Sequence, residues 1–136
     1  MKWYDKLEFE REKIMKQICT DKAPAAIGPY SQGVAANGFV FTSGQIPVDP
    51  ANGTIPEGIA AQAERSCRNV GAVLEKAGCT FENVVKTTCF LADMADFAEF
   101  NRVYESFFVS KPARSCVAAK ALPKGVLCEI EAIAAK

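Results

Sequence analysis

Two ionisable residues near the end of this chain lie inside stretches that are otherwise mostly small and apolar. Arg114 lies within residues 111–119, and Glu129 lies within residues 126–134. Both stretches have the composition of β-strands. Because burying an unpaired charge costs several kcal/mol, each group needs a partner there, and a small anionic substrate is one candidate. The pair therefore predicts a functional site.

The spacing of the two residues argues against a salt bridge between them. In a tight hairpin turning at residues 123–124, Glu129 would lie opposite Ala118, with Arg114 four residues further along the same face. At a rise near 3.3 Å per residue, the two backbones would be roughly 13 Å apart. Two arrangements remain open: another strand lies between them, or a neighbouring subunit completes the site. Both would leave room for a ligand.

The overall charge argues against nucleic acid as a partner. The 136-residue chain carries 16 basic and 16 acidic residues, so no global positive field draws nucleic acid or anionic lipid to its surface. The chain contains no histidine, which excludes imidazole-based triads and histidine-rich metal sites. Any chemistry must therefore use carboxylate, thiol, hydroxyl, phenol, amine, guanidinium or backbone groups.

The cysteines give no sign of a metal site or a disulfide framework. All six lie far apart, and none forms a Cys-x-x-Cys pair. The first residues carry no apolar signal segment. We therefore expect reduced thiols in a cytoplasmic protein that binds no metal and no membrane.

The hydrophobic pattern predicts one domain over residues 17–136, preceded by an amphipathic leader over residues 1–16 that is helical or mobile. The Asn37-Gly38 dipeptide marks a hairpin turn, and Asp96 with Glu99 marks a capping-box-like helix start. The predicted strands are residues 17–20, 31–35, 39–43, 83–92, 111–119 and 126–134, and the predicted helices are residues 59–77 and 93–108.

The order of these elements predicts an α+β or α/β sheet in which a helical crossover joins two parallel strands. Two helices can cover only one face of such a sheet, while the predicted strands are apolar on both faces. The second face therefore needs a partner, and we expect the chain to form a homo-oligomer.

Several short motifs, in this order along the chain, resemble those of the Rid family, and specifically of RidA-type 2-iminobutanoate/2-iminopropanoate deaminases. The resemblance runs from about Ile18 to the end of the chain. The segments that carry it are residues 25–32 (Ala-Ala-Ile-Gly-Pro-Tyr-Ser-Gln), 42–47 (Thr-Ser-Gly-Gln-Ile-Pro), 84–88 (Val-Val-Lys-Thr-Thr), 100–101 (Phe-Asn), 112–117 (Pro-Ala-Arg-Ser-Cys-Val) and 129–134 (Glu-Ile-Glu-Ala-Ile-Ala).

The resemblance implies a chorismate-mutase-like α+β fold: a six-stranded mixed sheet with two helices on one face, assembled as a homotrimeric barrel with ligand clefts between subunits. It implies hydrolysis of reactive 2-imino and enamino acids to 2-oxo acids and ammonia without a cofactor. The expected partners are thus a small 2-imino or 2-oxo acid and further copies of the chain, with no nucleic acid and no membrane.

The resemblance also assigns the two opening residues separate catalytic roles. Arg114 would bind the substrate carboxylate through its planar fork of donors, a geometry that lysine does not provide. Glu129 would hold a water for attack on the imine carbon. Glu131 would face the same side as Glu129, and only the resemblance favours Glu129.

Five further residues are expected to bind substrate. Cys116 lies two residues from Arg114 and so on the same strand face, where we expect wall packing and backbone hydrogen bonds rather than nucleophilic chemistry. By resemblance, Tyr30, Ser43, Gly44 and Asn101 line the pocket. Each of them also has an ordinary structural explanation, as a partly buried tyrosine, a Ser-Gly turn or a helix-surface asparagine.

Two other functions stay open at this stage. A non-catalytic module of the same fold would keep the carboxylate pocket without hydrolysis, because fold does not fix function. A ribonuclease activity is weakened by the zero net charge and the missing histidine. The chain also departs from many relatives in having only three residues, 109–111, between Phe108 and Pro112, so its substrate preference could differ.

Overall fold

A computed structural model of the chain describes residues 2–6 and 15–136. These residues form a six-stranded sheet and two α-helices. The strands are β1 (Met15–Ile18), β2 (Gly33–Ala36), β3 (Phe39–Thr42), β4 (Val84–Leu91), β5 (Ala113–Ala118) and β6 (Cys128–Ala135), and the helices are α1 (Ile59–Lys76) and α2 (Phe97–Phe107). All the predicted strands and helices are confirmed, with ends shifted by a few residues. The α+β class is also confirmed.

The predicted leader falls largely on residues 1 and 7–14, which lie outside the described residues. Residues 3–6 form one helical turn. Strand β1 begins at Met15, two residues before the predicted domain boundary. The division at residue 17 stays a prediction.

The strand order of the sheet is β1-β2-β3-β6-β4-β5. Only β4 and β5 are parallel, and α2 connects them, which confirms the predicted helical crossover. Strands β5 and β6 do not form a hairpin, because β4 lies between them and pairs with both. Two arrangements were left open for Arg114 and Glu129: an intervening strand, or a site completed by a neighbouring subunit. The structure contains the intervening strand, β4.

Local sequence signals account for the β2–β3 hairpin and for α1. Asn37 and Gly38 both have positive φ, 50° and 81°, which a two-residue hairpin turn of the right twist requires. Helix α1 buries one apolar face, and it stops at Ala77 and Gly78, as predicted. Its buried apolar residues are Ile59, Ala63, Cys67, Val70, Val73 and Leu74.

The start of α2 differs from the prediction. A 3-10 turn, Met94–Asp96, precedes the helix, and the Asp93 side chain caps this turn by accepting a hydrogen bond of 2.8 Å from the Ala95 N–H. Asp96 makes no side-chain capping bond, so the predicted capping box with Glu99 is wrong. The physical reason is that the chain begins to turn before the α-helix starts, so the first free N–H groups belong to residues upstream of Asp96.

The two helices cover one face of the sheet. Along β6, Cys128, Ile130, Ala132 and Ala134 are buried beneath them, while the alternate residues are only partly buried. The opposite face, here called the open face, carries exposed apolar side chains that include Phe39, Phe41 and Val117, at 44, 43 and 49% exposure. An apolar face of this kind supports the expectation of a partner. Across residues 2–6 and 15–136, no helix is long and apolar enough to span a membrane.

Candidate active site

Arg114 projects from the edge strand β5 onto the helix-covered face. Its partner on β4 is Thr87, which is buried under the helices at 1% exposure, and paired residues share a face. Arg114 Nη1 donates a hydrogen bond of 2.7 Å to Asn101 Oδ1 on α2. The guanidinium carbon lies 4.8 Å from the ring centre of Tyr104 and 5.5 Å from that of Phe97. The group is thus held by one amide and two aromatic rings.

No carboxylate pairs with Arg114 in the part of the chain that the structure describes. The ion pairs there are Arg68 with Glu64 and Arg102 with Glu99. A guanidinium has five N–H donors, and Asn101 uses one of them. Arg114 lines a cavity of about 600 Å³, and its remaining donors are available to an anion there. The other lining residues are Asn101, Tyr104, Glu105, Phe108, Val109, Lys111 and Pro112.

Cys116 lies on the same face as Arg114, directly beside Cys89 of β4. Burial raises the pKa of the Cys116 thiol, and the positive charge of Arg114 opposes that rise. The thiolate form is therefore disfavoured near neutral pH, which makes the thiol a poor nucleophile. This agrees with the expectation that Cys116 does not act as a nucleophile. Its place in the wall of the site stays a prediction, because Cys116 is not among the residues that line the Arg114 cavity.

Glu129 projects onto the open face, because its neighbours Cys128 and Ile130 are buried on the other side of β6. Burial raises the pKa of the Glu129 carboxyl, and the nearby charge of Glu131 raises it further. A carboxyl group of this kind is a stronger base than an ordinary glutamate and can also return a proton. The prediction that Glu129 and Arg114 share a sheet face is wrong, since the actual strand order and register separate their side chains.

Gly44 provides the space that the Glu129 side chain occupies. A Cβ atom at position 44 would lie 2.9 Å from Glu129 Cδ, closer than side chains approach one another. Gln45, the next residue, exchanges two backbone hydrogen bonds with Ile130 that fix this loop against β6. Glu131 lies elsewhere on the open face, opposite Thr88, in a shallow cavity of about 230 Å³ that also includes Lys86.

Tyr30 and Gly44 line a third cavity, of about 240 Å³, whose walls include the apolar side chains of Ile27, Ile46 and Val48. Tyr30 is 52% exposed there. Ser43 is close in sequence but its hydroxyl donates to the Ser31 carbonyl oxygen, so this group is already engaged. The cavity joins Tyr30 to the neighbourhood of Glu129 through Gly44.

Three residues important to this arrangement were not identified from the sequence. Gln32 is buried, and its side chain amide bonds to the backbone of Thr20, Ala23 and Pro24, which shapes the loop that carries Tyr30. Tyr104 and Phe97 flank Arg114. Hydrophobic periodicity predicts only that such aromatic residues face the core, and a buried glutamine gives no sequence signal.

The predicted site residues therefore form two groups, which we call the two half-sites. The arginine half-site contains Arg114, Asn101 and Cys116 on the helix-covered face. The glutamate half-site contains Glu129 with the loop residues Tyr30, Ser43 and Gly44. Within the described residues, no group of three or more acidic or thiol side chains could hold a metal ion.

Comparison with known proteins places this arrangement in a family. Residues 20–136 match the family model described as endoribonuclease L-PSP. The chain belongs to the endoribonuclease L-PSP family. One curated relative is the 2-iminobutanoate/2-iminopropanoate deaminase of Salmonella typhimurium, which is 53% identical over 127 residues, 90% of this chain and 99% of the relative.

Solved structures of similar proteins share the fold. Escherichia coli TdcF with bound serine aligns with a TM-score of 0.86 and 49% identity, over 89% of this chain and 98% of TdcF. YyfA from Yersinia pestis, described as a member of the conserved Rid family, aligns with a TM-score of 0.87 and 43% identity, over 90% of this chain and 99% of YyfA. The resemblance to the Rid family is confirmed.

Proposed function

We propose that this protein hydrolyses reactive 2-imino and enamino acids, such as 2-iminobutanoate and 2-iminopropanoate, to 2-oxo acids and ammonia. The observation that carries the proposal is the guanidinium of Arg114, which faces a cavity without a carboxylate partner among the described residues. A relative 53% identical over nearly its whole length is named for this activity.

The two half-sites imply that the site is completed between copies of the chain. Arg114 and Glu129 leave opposite faces of one sheet, so a single chain cannot direct both at one small molecule. A contact between two different surfaces is head-to-tail, and repeated around an axis it closes into a ring. The exposed Phe39 and Phe41 on the open face would be buried in such an assembly. We propose a homotrimeric barrel, as the family resemblance implies.

In this site, Arg114 binds the substrate carboxylate through paired hydrogen bonds. Glu129 of a neighbouring copy accepts a proton from water as the water oxygen attacks C2 of the iminium. Glu129 then returns that proton to the nitrogen of the amino-alcohol. As ammonia leaves, the Glu129 carboxylate accepts the proton of the C2 hydroxyl group, and C2 becomes the carbonyl of the 2-oxo acid. Because an iminium carbon is already electrophilic, the step needs neither metal nor cofactor.

The other predicted site residues have supporting roles in this proposal. Asn101 orients Arg114, and Cys116 forms the wall beside it. Gly44 leaves space for the Glu129 carboxyl, and Tyr30 lines the cavity next to Gly44. Ser43 holds the loop in place through its hydrogen bond to the Ser31 carbonyl oxygen. We further propose a cytoplasmic location, where dehydratases that use pyridoxal phosphate release imines of this class.

A coupled assay tests the proposal directly. A threonine dehydratase generates 2-iminobutanoate, and release of 2-oxobutanoate is followed with and without the purified protein. The protein should accelerate release, and Arg114→Ala should remove the acceleration without changing the oligomer size. Arg102→Ala, which removes an exposed arginine of α2, is the matched control and should retain activity.

The same assay, together with a binding measurement, distinguishes an enzyme from a non-catalytic module. A wild-type protein that binds 2-oxobutanoate through Arg114 but leaves the spontaneous rate of imine hydrolysis unchanged would contradict the enzymatic proposal. The protein would then be a non-catalytic module that binds small carboxylates.

A further inference from the structure

The guanidinium of Arg114 is held by two aromatic rings, those of Tyr104 and Phe97. Arginine has a long side chain with several rotatable bonds, and ordering it on binding reduces affinity. In this structure the guanidinium carbon lies over the rings of Tyr104 and Phe97, at 4.8 and 5.5 Å from their centres. A cation within about 6 Å of an aromatic ring is attracted to the ring face.

The ring of Tyr104 is itself held by three neighbouring side chains. Its hydroxyl lies 2.7 Å from Thr87 Oγ1, in a buried hydrogen bond. Phe108 stacks on the ring at a centre-to-centre distance of 4.4 Å, and Phe100 packs beside it at 5.8 Å. Thr87 is also the residue paired with Arg114 across β4 and β5. The hydroxyl bond therefore ties the ring to the strand position next to the arginine.

Each part of the guanidinium then has a defined environment. The ring faces of Tyr104 and Phe97 contact the planar group, and Asn101 accepts a hydrogen bond from one N–H. The remaining N–H groups can serve an anion in the cavity. Contacts from aromatic rings use no N–H donor, whereas a second carboxylate or amide partner would compete with the substrate.

We propose that Tyr104 and Phe97 are positioning residues, which hold the guanidinium of Arg114 in the orientation that binds the substrate carboxylate. This inference rests on the proposed role of Arg114 as the carboxylate ligand. Neither ring needs to touch the reacting atoms. Their contribution is to order the arginine before the ligand arrives, which improves affinity.

The test measures the Kd of 2-oxobutanoate, the product, by calorimetric titration of the assembled protein. Tyr104→Leu should raise the Kd by roughly 3- to 30-fold, the range expected for a lost cation–π contact of this kind. Tyr104→Phe keeps the ring and its stacking on Phe108 but loses the bond to Thr87, so its Kd should lie between those of the wild type and Tyr104→Leu. Phe97→Leu should raise the Kd in the same direction, and because Phe97 is only partly buried this variant should fold.

Val40→Ala is the control for a general loss of stability. Val40 is fully buried on β3, which β6 and β4 separate from the strand of Arg114. Its replacement should lower the melting temperature and leave the Kd unchanged. If Tyr104→Leu does not fold, the comparison of Phe97→Leu with Val40→Ala still tests the inference.

Three results would overturn the inference. One is an unchanged Kd in Phe97→Leu and in any folded Tyr104→Leu, while Arg114→Ala abolishes binding. The second is a Kd in Val40→Ala that rises as much as in Phe97→Leu and in any folded Tyr104→Leu, which would mean that the effect is a general loss of stability. The third is absence of 2-oxobutanoate binding by the wild type. Because binding is measured without turnover, a wild type that binds 2-oxobutanoate but hydrolyses no imine contradicts the proposed function and leaves this inference intact.

Discussion

Arg114 and Glu129 leave opposite faces of the same sheet, with β4 between their strands. Arg114 is paired with Thr87 and Glu129 with Phe90, three residues further along β4. Because successive residues of a strand alternate between faces, an odd offset puts the two side chains on different faces. Two strand spacings and three residue rises separate their backbones by roughly 14 Å. A second copy of the chain is the simplest way to bring an arginine and a glutamate of this kind together.

Gly44 should be required for activity more than for folding. In Gly44→Ala the new methyl group would meet the Glu129 side chain at 2.9 Å and displace the carboxyl. We expect kcat to fall by at least about tenfold, since small displacements of catalytic groups are costly. The measurement is a double-mutant cycle with Glu129→Gln, in which Gly44→Ala should have little further effect. If the losses in kcat caused by Gly44→Ala and Glu129→Gln instead add up in the double variant, Gly44 does not act through the position of Glu129.

The raised pKa of Glu129 predicts that this residue reduces stability near neutral pH. A carboxyl whose folded-state pKa is raised contributes stability that is fully present below its unfolded pKa and is lost as the pH rises through the folded pKa. Glu129→Gln should therefore raise the melting temperature at about pH 7 and have little effect at about pH 4. Thermal unfolding at the two pH values checks this. Glu57→Gln, at an exposed position, controls for the loss of one charge.

The opposite result, a lower melting temperature of Glu129→Gln at about pH 7 with little change at about pH 4, would show that its surroundings stabilise the Glu129 carboxylate. Activity should change in the opposite direction to stability. Loss of the general acid–base group in Glu129→Gln should lower kcat by roughly 10²- to 10⁴-fold. A stable but inactive variant is the expected combination for a residue selected for function.

The open face should be needed for assembly. Phe41 is 43% exposed on this face, and Phe41→Glu would place a charge in the proposed contact between copies. We expect a smaller species in size-exclusion chromatography and loss of imine hydrolysis. Lys76→Glu, at an exposed position of α1, should leave both unchanged. An oligomer of unaltered size in Phe41→Glu would mean that the open face does not form the contact.

Local sequence signals predicted the elements, but not how the strands meet. Asn37-Gly38 fixes its hairpin, and the apolar spacing of residues 59–77 fixes α1, because both depend on neighbours in sequence. The pairing of β4 with both β5 and β6 depends on contacts between distant residues. For this reason the last two strands, which follow each other in the chain, suggested a hairpin that the structure does not contain.

Some residues of the candidate site could likewise be predicted from the sequence, and others could not. Arg114 and Glu129 could be selected from the sequence because a charge inside an apolar stretch stands out. The rings of Tyr104 and Phe97 could not, since an aromatic residue on an apolar helix face has the same pattern whether it packs against a leucine or against a guanidinium. The wrong start predicted for α2 has a similar origin, since Asp93 and Asp96 are equally good capping residues by type.

The central claim, that each site takes Arg114 from one copy and Glu129 from another, is tested most directly by complementation. Arg114→Ala and Glu129→Gln, each inactive alone, are refolded together in equal amounts. If chains assemble at random, each contact has an even chance of an intact arginine and an even chance of an intact glutamate, so about a quarter of the wild-type activity per chain should return. If the mixture stays as inactive as the separate variants although mixed oligomers form, both residues act within one chain and the account is wrong.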